Sequence, residues 1–140
     1  MMMKKIVNMA FSYTLIGLIC GVIYREFTKM VGFTGQTTLS LLHTHLLTLG
    51  MVFFLIVLSL EAIFKMSEQK TFKWFLVIYN IGLILSAILM AVRGFFQVQG
   101  TELSKGIDAS ISGMSGVGHI LLSIGLILFF ISLKRCIATK

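Results

Sequence analysis

Residues 38–64 read TLSLLHTHLLTLGMVFFLIVLSLEAIF, and Glu61 is the one Asp, Glu, Lys or Arg in the run. About 20 mainly apolar residues, at about 1.5 Å each, let a helix cross roughly 30 Å of hydrocarbon. The run is read as a membrane-spanning helix. Three more apolar runs, over about 6–24, 74–96 and 109–133, have similar length. Strands are excluded, because so few segments cannot close a barrel and lipid tolerates no open sheet edge.

Composition points the same way. The 140 residues are 57% hydrophobic and 12% charged, with a mean hydropathy of +0.99. A soluble domain is nearer 45–50% apolar and about 25% charged. The excess is surface for lipid. The expected fold is all-α, a four-transmembrane-helix antiparallel bundle forming one integral membrane domain over 1–140. The sequence holds no proline, so no proline kink is expected. The connections REFTKMVGFTGQ, KMSEQKTFK and QVQGTELSKGID are short and polar.

A net charge of +7 raises nucleic acid as a partner. The Lys and Arg residues instead flank the apolar runs, without interleaved aromatics, so no nucleic acid is expected and the partner is the lipid bilayer. Lys4, Lys5, Lys65, Lys70, Lys73, Lys134, Arg135 and Lys140 fall on one side; Arg25, Lys29, Arg93 and Lys105 fall on the other. The positive-inside rule puts both termini in the cytoplasm of a cell with this chain in its cytoplasmic membrane. The start, MMMKKIVNMAFSYTLIGLICGVIY, resembles a secretory signal but lacks a small-residue cleavage site, so it is read as a retained first helix. Cys20 and Cys136 show no CxxC spacing, and no disulfide is expected.

Polar and small residues usually mark the inward face of a membrane bundle. Ser112, Gly116, His119 and Ser123 form one such stripe on the fourth helix, and Tyr79, Gly82, Ser86, Arg93 and Gln97 another on the third. Gly17 and Gly21 make a GxxxG on the first, which permits close helix contact. Glu61 stands four before Lys65, a favourable helix pair. Tyr13, Tyr24, Trp74 and Tyr79 are assigned to aromatic belts at the membrane boundaries, with Tyr79 alternatively a proton or electron donor inside the bundle. Asn80 is read as an interhelical hydrogen bond.

All three histidines, His43, His45 and His119, lie inside predicted spans. Ionisable groups in hydrocarbon are costly and usually functional. The plain alternative is one hydrogen bond from each imidazole to a helix carbonyl. Neutral imidazole is a common axial ligand of haem iron. His45 lies roughly 10 Å into the second helix and His119 roughly 15 Å into the fourth, counted from the same side at about 1.5 Å per residue. They are read as opposed ligands of haem b. His43, about 200° round the helix from His45, serves a second haem or a subunit contact. Gly113, Gly116 and Gly118 leave room for a flat macrocycle, and Arg93 is assigned to a propionate. A zinc or copper site on His43, His45 and His119 is a competing reading.

HTHLLTLGM, YNIGL, RGFFQVQG and SGMSGVGHI together resemble a family of small four-helix membrane proteins of Gram-positive bacteria whose function is unknown. The resemblance covers nearly the whole chain. HTHLLTLG also resembles a helix of the haem–copper oxidase and nitric oxide reductase catalytic subunit. There an HxH pair serves two haems from opposite faces, and twelve helices form three arcs of four. That resemblance implies axial roles for His43 and His45, with His119 opposing. The chain lacks the three further histidines of a copper site and the His–Tyr pair, so oxygen reduction is not implied. The expected function is a membrane haem protein for electron transfer or diatomic gas binding, in a homo-oligomer with an unnamed redox partner. A divalent-metal binder or transporter and a non-catalytic assembly factor are the alternatives.

Overall fold

The computed structural model describes residues 1–138; Lys140, counted above with the cytoplasmic charges, lies outside the described residues. Four helices carry the chain: α1 (Met2–Val31), α2 (Leu39–Phe64), α3 (Lys70–Gln99) and α4 (Lys105–Ala138). Each is long and apolar enough to cross a membrane, which makes this a multi-pass membrane protein. Apart from the start of α2, the helices begin before and end beyond the expected spans 6–24, 74–96 and 109–133. Hydropathy marks only the part in hydrocarbon, while helical hydrogen bonding continues into the interface.

The ends have local causes. α1 stops at Gly32 and α3 at Gly100, each with φ 67°, where only glycine avoids a Cβ clash. The Gly32 and Phe33 N–H groups donate back to the Lys29 and Thr28 carbonyls, and Gly100 and Thr101 do the same to Gln97 and Phe96. α2 ends at Lys65, a left-handed residue with φ 50°, followed by a 3-10 turn over Met66–Glu68. The Glu61 carboxylate does not serve Lys65 as the spacing predicts. It is buried and accepts from the backbone N–H of Ser67 at 2.9 Å and from the Ser67 hydroxyl. The acceptor therefore holds the turn between α2 and α3.

Partners across each interface run in opposite sequence order. Between α1 and α2, Tyr13 stacks on Phe54, Gly17 meets Leu47, and Gly21 meets His43. The GxxxG of α1 is thus used inside the chain. Between α2 and α3, the Thr38 hydroxyl donates to the Met90 carbonyl at 2.8 Å, and Phe53 lies against Tyr79 and Phe75. Between α3 and α4, Ser132 donates to Thr71 at 2.7 Å, Phe75 meets Phe129, and Gly125 meets Tyr79. Contacts Phe53–Phe129 and Tyr13–Asn80 join α2 to α4 and α1 to α3. α2 and α3 lie centrally, with α1 on one flank and α4 on the other.

Backbones approach closely between α3 and α4. A Cβ added to Gly82 would lie 2.8 Å from the Leu122 nitrogen, and one on Gly125 would lie 2.8 Å from Tyr79 Cβ. Small residues let backbones approach where lipid offers no hydrophobic drive for association. The core holds Phe53, Phe54, Phe75, Tyr79 and Phe129 in mutual ring contact. Between 22% and 33% of each span's apolar window is buried. Large apolar residues such as Val22, Ile88 and Ile127 are more than half exposed, which suits lipid and not water.

α2 is not a regular helix. Leu46–Val52, directly after the histidines, is a π-helical segment. The Leu49 carbonyl inside it accepts a hydrogen bond from the Tyr79 hydroxyl at 2.9 Å. Gly50 faces Tyr13 so closely that a Cβ would overlap the ring atoms. The absence of proline did not keep this helix regular; glycine and a hydroxyl from α3 support the wide turn. Tyr13 and Tyr79 are both buried and not at boundaries, and Asn80 accepts the Tyr13 hydroxyl at 2.6 Å.

Candidate functional site

His45 sits on α2 directly before the π-helical segment Leu46–Val52 and is half-buried. His119 sits on α4 with Ser112, Gly116 and Ser123 on one exposed face. α2 and α4 meet at the Phe53–Phe129 ring contact, with centroids 5.4 Å apart. His45 lies eight residues and His119 ten residues from that contact, both toward the end carrying loops 32–38 and 100–104.

Both imidazoles are oriented the same way. His45 Nδ1 lies 3.0 Å from the Leu41 carbonyl oxygen, and His119 Nδ1 lies 2.8 Å from that of Ser115. A carbonyl only accepts, so each Nδ1 carries the proton and donates. Each Nε2 is then left with a lone pair. A histidine that ligates a metal commonly donates its other ring N–H to a carbonyl in this way. Where a bond from each imidazole to a neighbouring helix was expected, His45 and His119 bond carbonyls of their own helices, and His43 Nδ1 makes no hydrogen bond among the described residues.

His45 is half-buried and His119 is exposed. Ser112, Gly116 and Ser123 are exposed as well, so the polar stripe of α4 faces outward and not into the bundle. The inward face of α4 is Gly118, Leu122, Gly125, Phe129 and Ser132. Gly118 lies against Ser86 of α3, while Cβ atoms at Gly113 and Gly116 would meet nothing within 4 Å. Of the three glycines expected to make space for a macrocycle, two border open space and one is used for helix packing.

Arg93 reaches from α3 to this face of α4. Its Nη2 donates to Asp108 Oδ1 at 2.8 Å, to the Asp108 carbonyl at 3.2 Å and to Ser112 Oγ at 2.7 Å. Ser112 is about two helical turns from His119 along one face. The guanidinium thus lies on the His119 side of α4 but is held by Asp108, a partner that the sequence did not suggest.

His43 belongs elsewhere. It packs on Gly21 of α1, and its Nδ1 is buried with no hydrogen-bond partner. No group of three or more His, Cys, Asp or Glu side chains is placed to hold a metal ion among the described residues. One chain therefore does not gather His43, His45 and His119 into a compact site.

A family model described as "Protein of unknown function (DUF2871)" matches residues 3–136, and the chain belongs to that family. Neither the curated proteins nor the solved structures provide a match.

Proposed function

We propose that the protein is a b-type haem protein of the cytoplasmic membrane, an antiparallel bundle with both termini inside. His45 on α2 and His119 on α4 would hold the haem iron. The observation that carries this reading is the pair of Nδ1–H bonds to Leu41 and Ser115, which leave an Nε2 lone pair on α2 and another on α4. Haem, when bound there, would supply one-electron chemistry or a gas-binding iron. The chain's own residues orient the ligands, and Arg93 offers positive charge to a propionate at the loop end, in exchange with Asp108. The open flank on α4 is covered by a second copy in a homo-oligomer, because an exposed imidazole in lipid is costly.

The ligand variants test it. His45→Ala and His119→Ala should each lose the six-coordinate spectrum of haem-loaded protein, and His43→Ala should keep it. Three unchanged spectra would refute the ligand assignment. A divalent ion bound in place of haem, and lost in the same two variants, would instead support the metal-binding alternative. Neither haem nor metal would leave an assembly role for this membrane bundle.

A further inference from the structure

A trench runs between α1 and α3. Three adjoining cavities make it, of about 850, 300 and 270 Å³. Asn8, Met9 and Asn80 line both the first and the second, and Tyr13, Ile16 and Ile84 line both the second and the third. Helical register sets its two walls. Lys5, Asn8, Ser12 and Ile16 follow at steps of three and four on α1, and Lys73, Val77, Asn80 and Ile84 do so on α3. The Tyr13–Asn80 hydrogen bond of 2.6 Å and the contact of Asn80 Nδ2 with Met9 Sδ at 3.5 Å tie the two helices together along it. Ile16, Val77 and Ile84 are half exposed, so the trench is open to lipid.

The chemistry changes along it in one direction. At one end Lys5 and Lys73 line the widest part. Neither forms an ion pair among the described residues, and no Asp or Glu lines any of the three cavities. Glu61, the carboxylate buried at this end of the bundle, is held by Ser67. Asn8 and Ser12 follow about one and two turns further in. Both line the trench, both are exposed, and neither side chain makes a hydrogen bond among the described residues. A polar group left unsatisfied in hydrocarbon is costly, so this amide and this hydroxyl call for a partner from outside the chain. The far cavity, with Leu42, Leu46, Ala87 and Ile88 in its wall, offers only apolar surface. From Lys5 to Cys20 the trench is about 22 Å long at about 1.5 Å per residue. That is the depth of one leaflet with its headgroups, half of roughly 40–45 Å.

We propose that the trench is a binding site for one anionic phospholipid. Its phosphate lies between the Lys5 and Lys73 ammonium groups, its glycerol ester oxygens accept from Asn8 and Ser12, and an acyl chain follows the apolar part toward Cys20. Anion, ester and hydrocarbon succeed one another in the lipid in the same order as their partners do along the trench. Basic pockets between membrane helices hold such headgroups. A zwitterionic lipid brings its own cation against the two lysines. Inorganic phosphate meets the lysines but leaves Asn8, Ser12 and the apolar wall unused. His45 and His119 line none of the three cavities, so lipid binding here is independent of haem.

The test is native mass spectrometry of the delipidated chain in detergent, titrated with dioleoyl phosphatidylglycerol and separately with dioleoyl phosphatidylcholine, then challenged with inorganic phosphate. One phosphatidylglycerol should bind with saturation, about tenfold or more tighter than the first phosphatidylcholine, and phosphate at the same concentration should not displace it. Lys5→Gln and Lys73→Gln should each weaken it about fivefold, the effect of one lysine near an anionic lipid. Lys134→Gln removes the same charge from α4, outside the trench, and should leave binding unchanged. Ser12→Leu, at an exposed position with room for the larger side chain, narrows the trench and should weaken the lipid as well. Equal binding of the two lipids, displacement by inorganic phosphate, or a loss in Lys134→Gln equal to that in Lys5→Gln would overturn the proposal.

Discussion

Single atoms decide how tightly α3 and α4 pack. At Gly82 an added Cβ meets backbone, the Leu122 nitrogen at 2.8 Å and the Gly118 oxygen at 2.9 Å. At Gly118 it meets chiefly the Ser86 hydroxyl, which is buried and has no partner to keep it in place. A side chain turns aside more easily than a backbone. Gly82→Ala should therefore destabilise by about 1–3 kcal/mol, as overpacking does, and Gly118→Ala by less. Thermal unfolding in one detergent compares the two; an equal or reversed order would contradict the close backbone contact. The Arg93–Asp108 pair is a different case. The side chains are 25% and 58% exposed, and such pairs contribute about 0–1 kcal/mol. Asp108→Asn should leave the unfolding midpoint nearly unchanged, since the Asp108 carbonyl and Ser112 still accept from the guanidinium.

At the scale of elements, α2 is the informative helix. Its apolar run made the span legible from sequence, and the spacing of His43 and His45 correctly separated them onto different faces. The π-helical segment was not legible. LLTLGMV contains no breaker except Gly50, and the wide turn depends on Tyr13 and Tyr79, which arrive from other helices. Tyr79→Phe removes the donor to the Leu49 carbonyl and should cost about 1–3 kcal/mol if that buried acceptor is left unpaired. Unfolding of this variant beside Tyr24→Phe, which touches no helix carbonyl, is the check; equal midpoints would mean Leu49 does not need its partner. α4 shows the opposite failure. Periodicity correctly grouped Ser112, Gly116, His119 and Ser123 on one face but assigned that face to the interior. Sequence spacing gives the faces of a helix without saying which face meets a neighbour. Gly118, Leu122, Gly125 and Phe129 share the same four-and-three spacing, and they are the residues that meet α3.

At the scale of the molecule, His43 and His45 lie two residues apart but in different surroundings: His43 packs on Gly21 of α1, and His45 bonds the Leu41 carbonyl of its own helix. In the topology we propose from positive-inside counting, the end carrying loops 32–38 and 100–104 lies outside the cytoplasm. A reporter active only outside the cytoplasm, inserted in the 100–104 loop, should be active, and one fused at the C-terminus should be silent. The reverse pattern would invert the topology without altering these histidine contacts.

The most direct measurement is the visible absorption spectrum of the purified protein, oxidised and then reduced with dithionite, from cells well supplied with haem. Ligation by His45 and His119 predicts a Soret band and sharp α and β bands on reduction, unmoved by carbon monoxide. A protein from the same cells with no Soret absorbance would contradict the haem assignment.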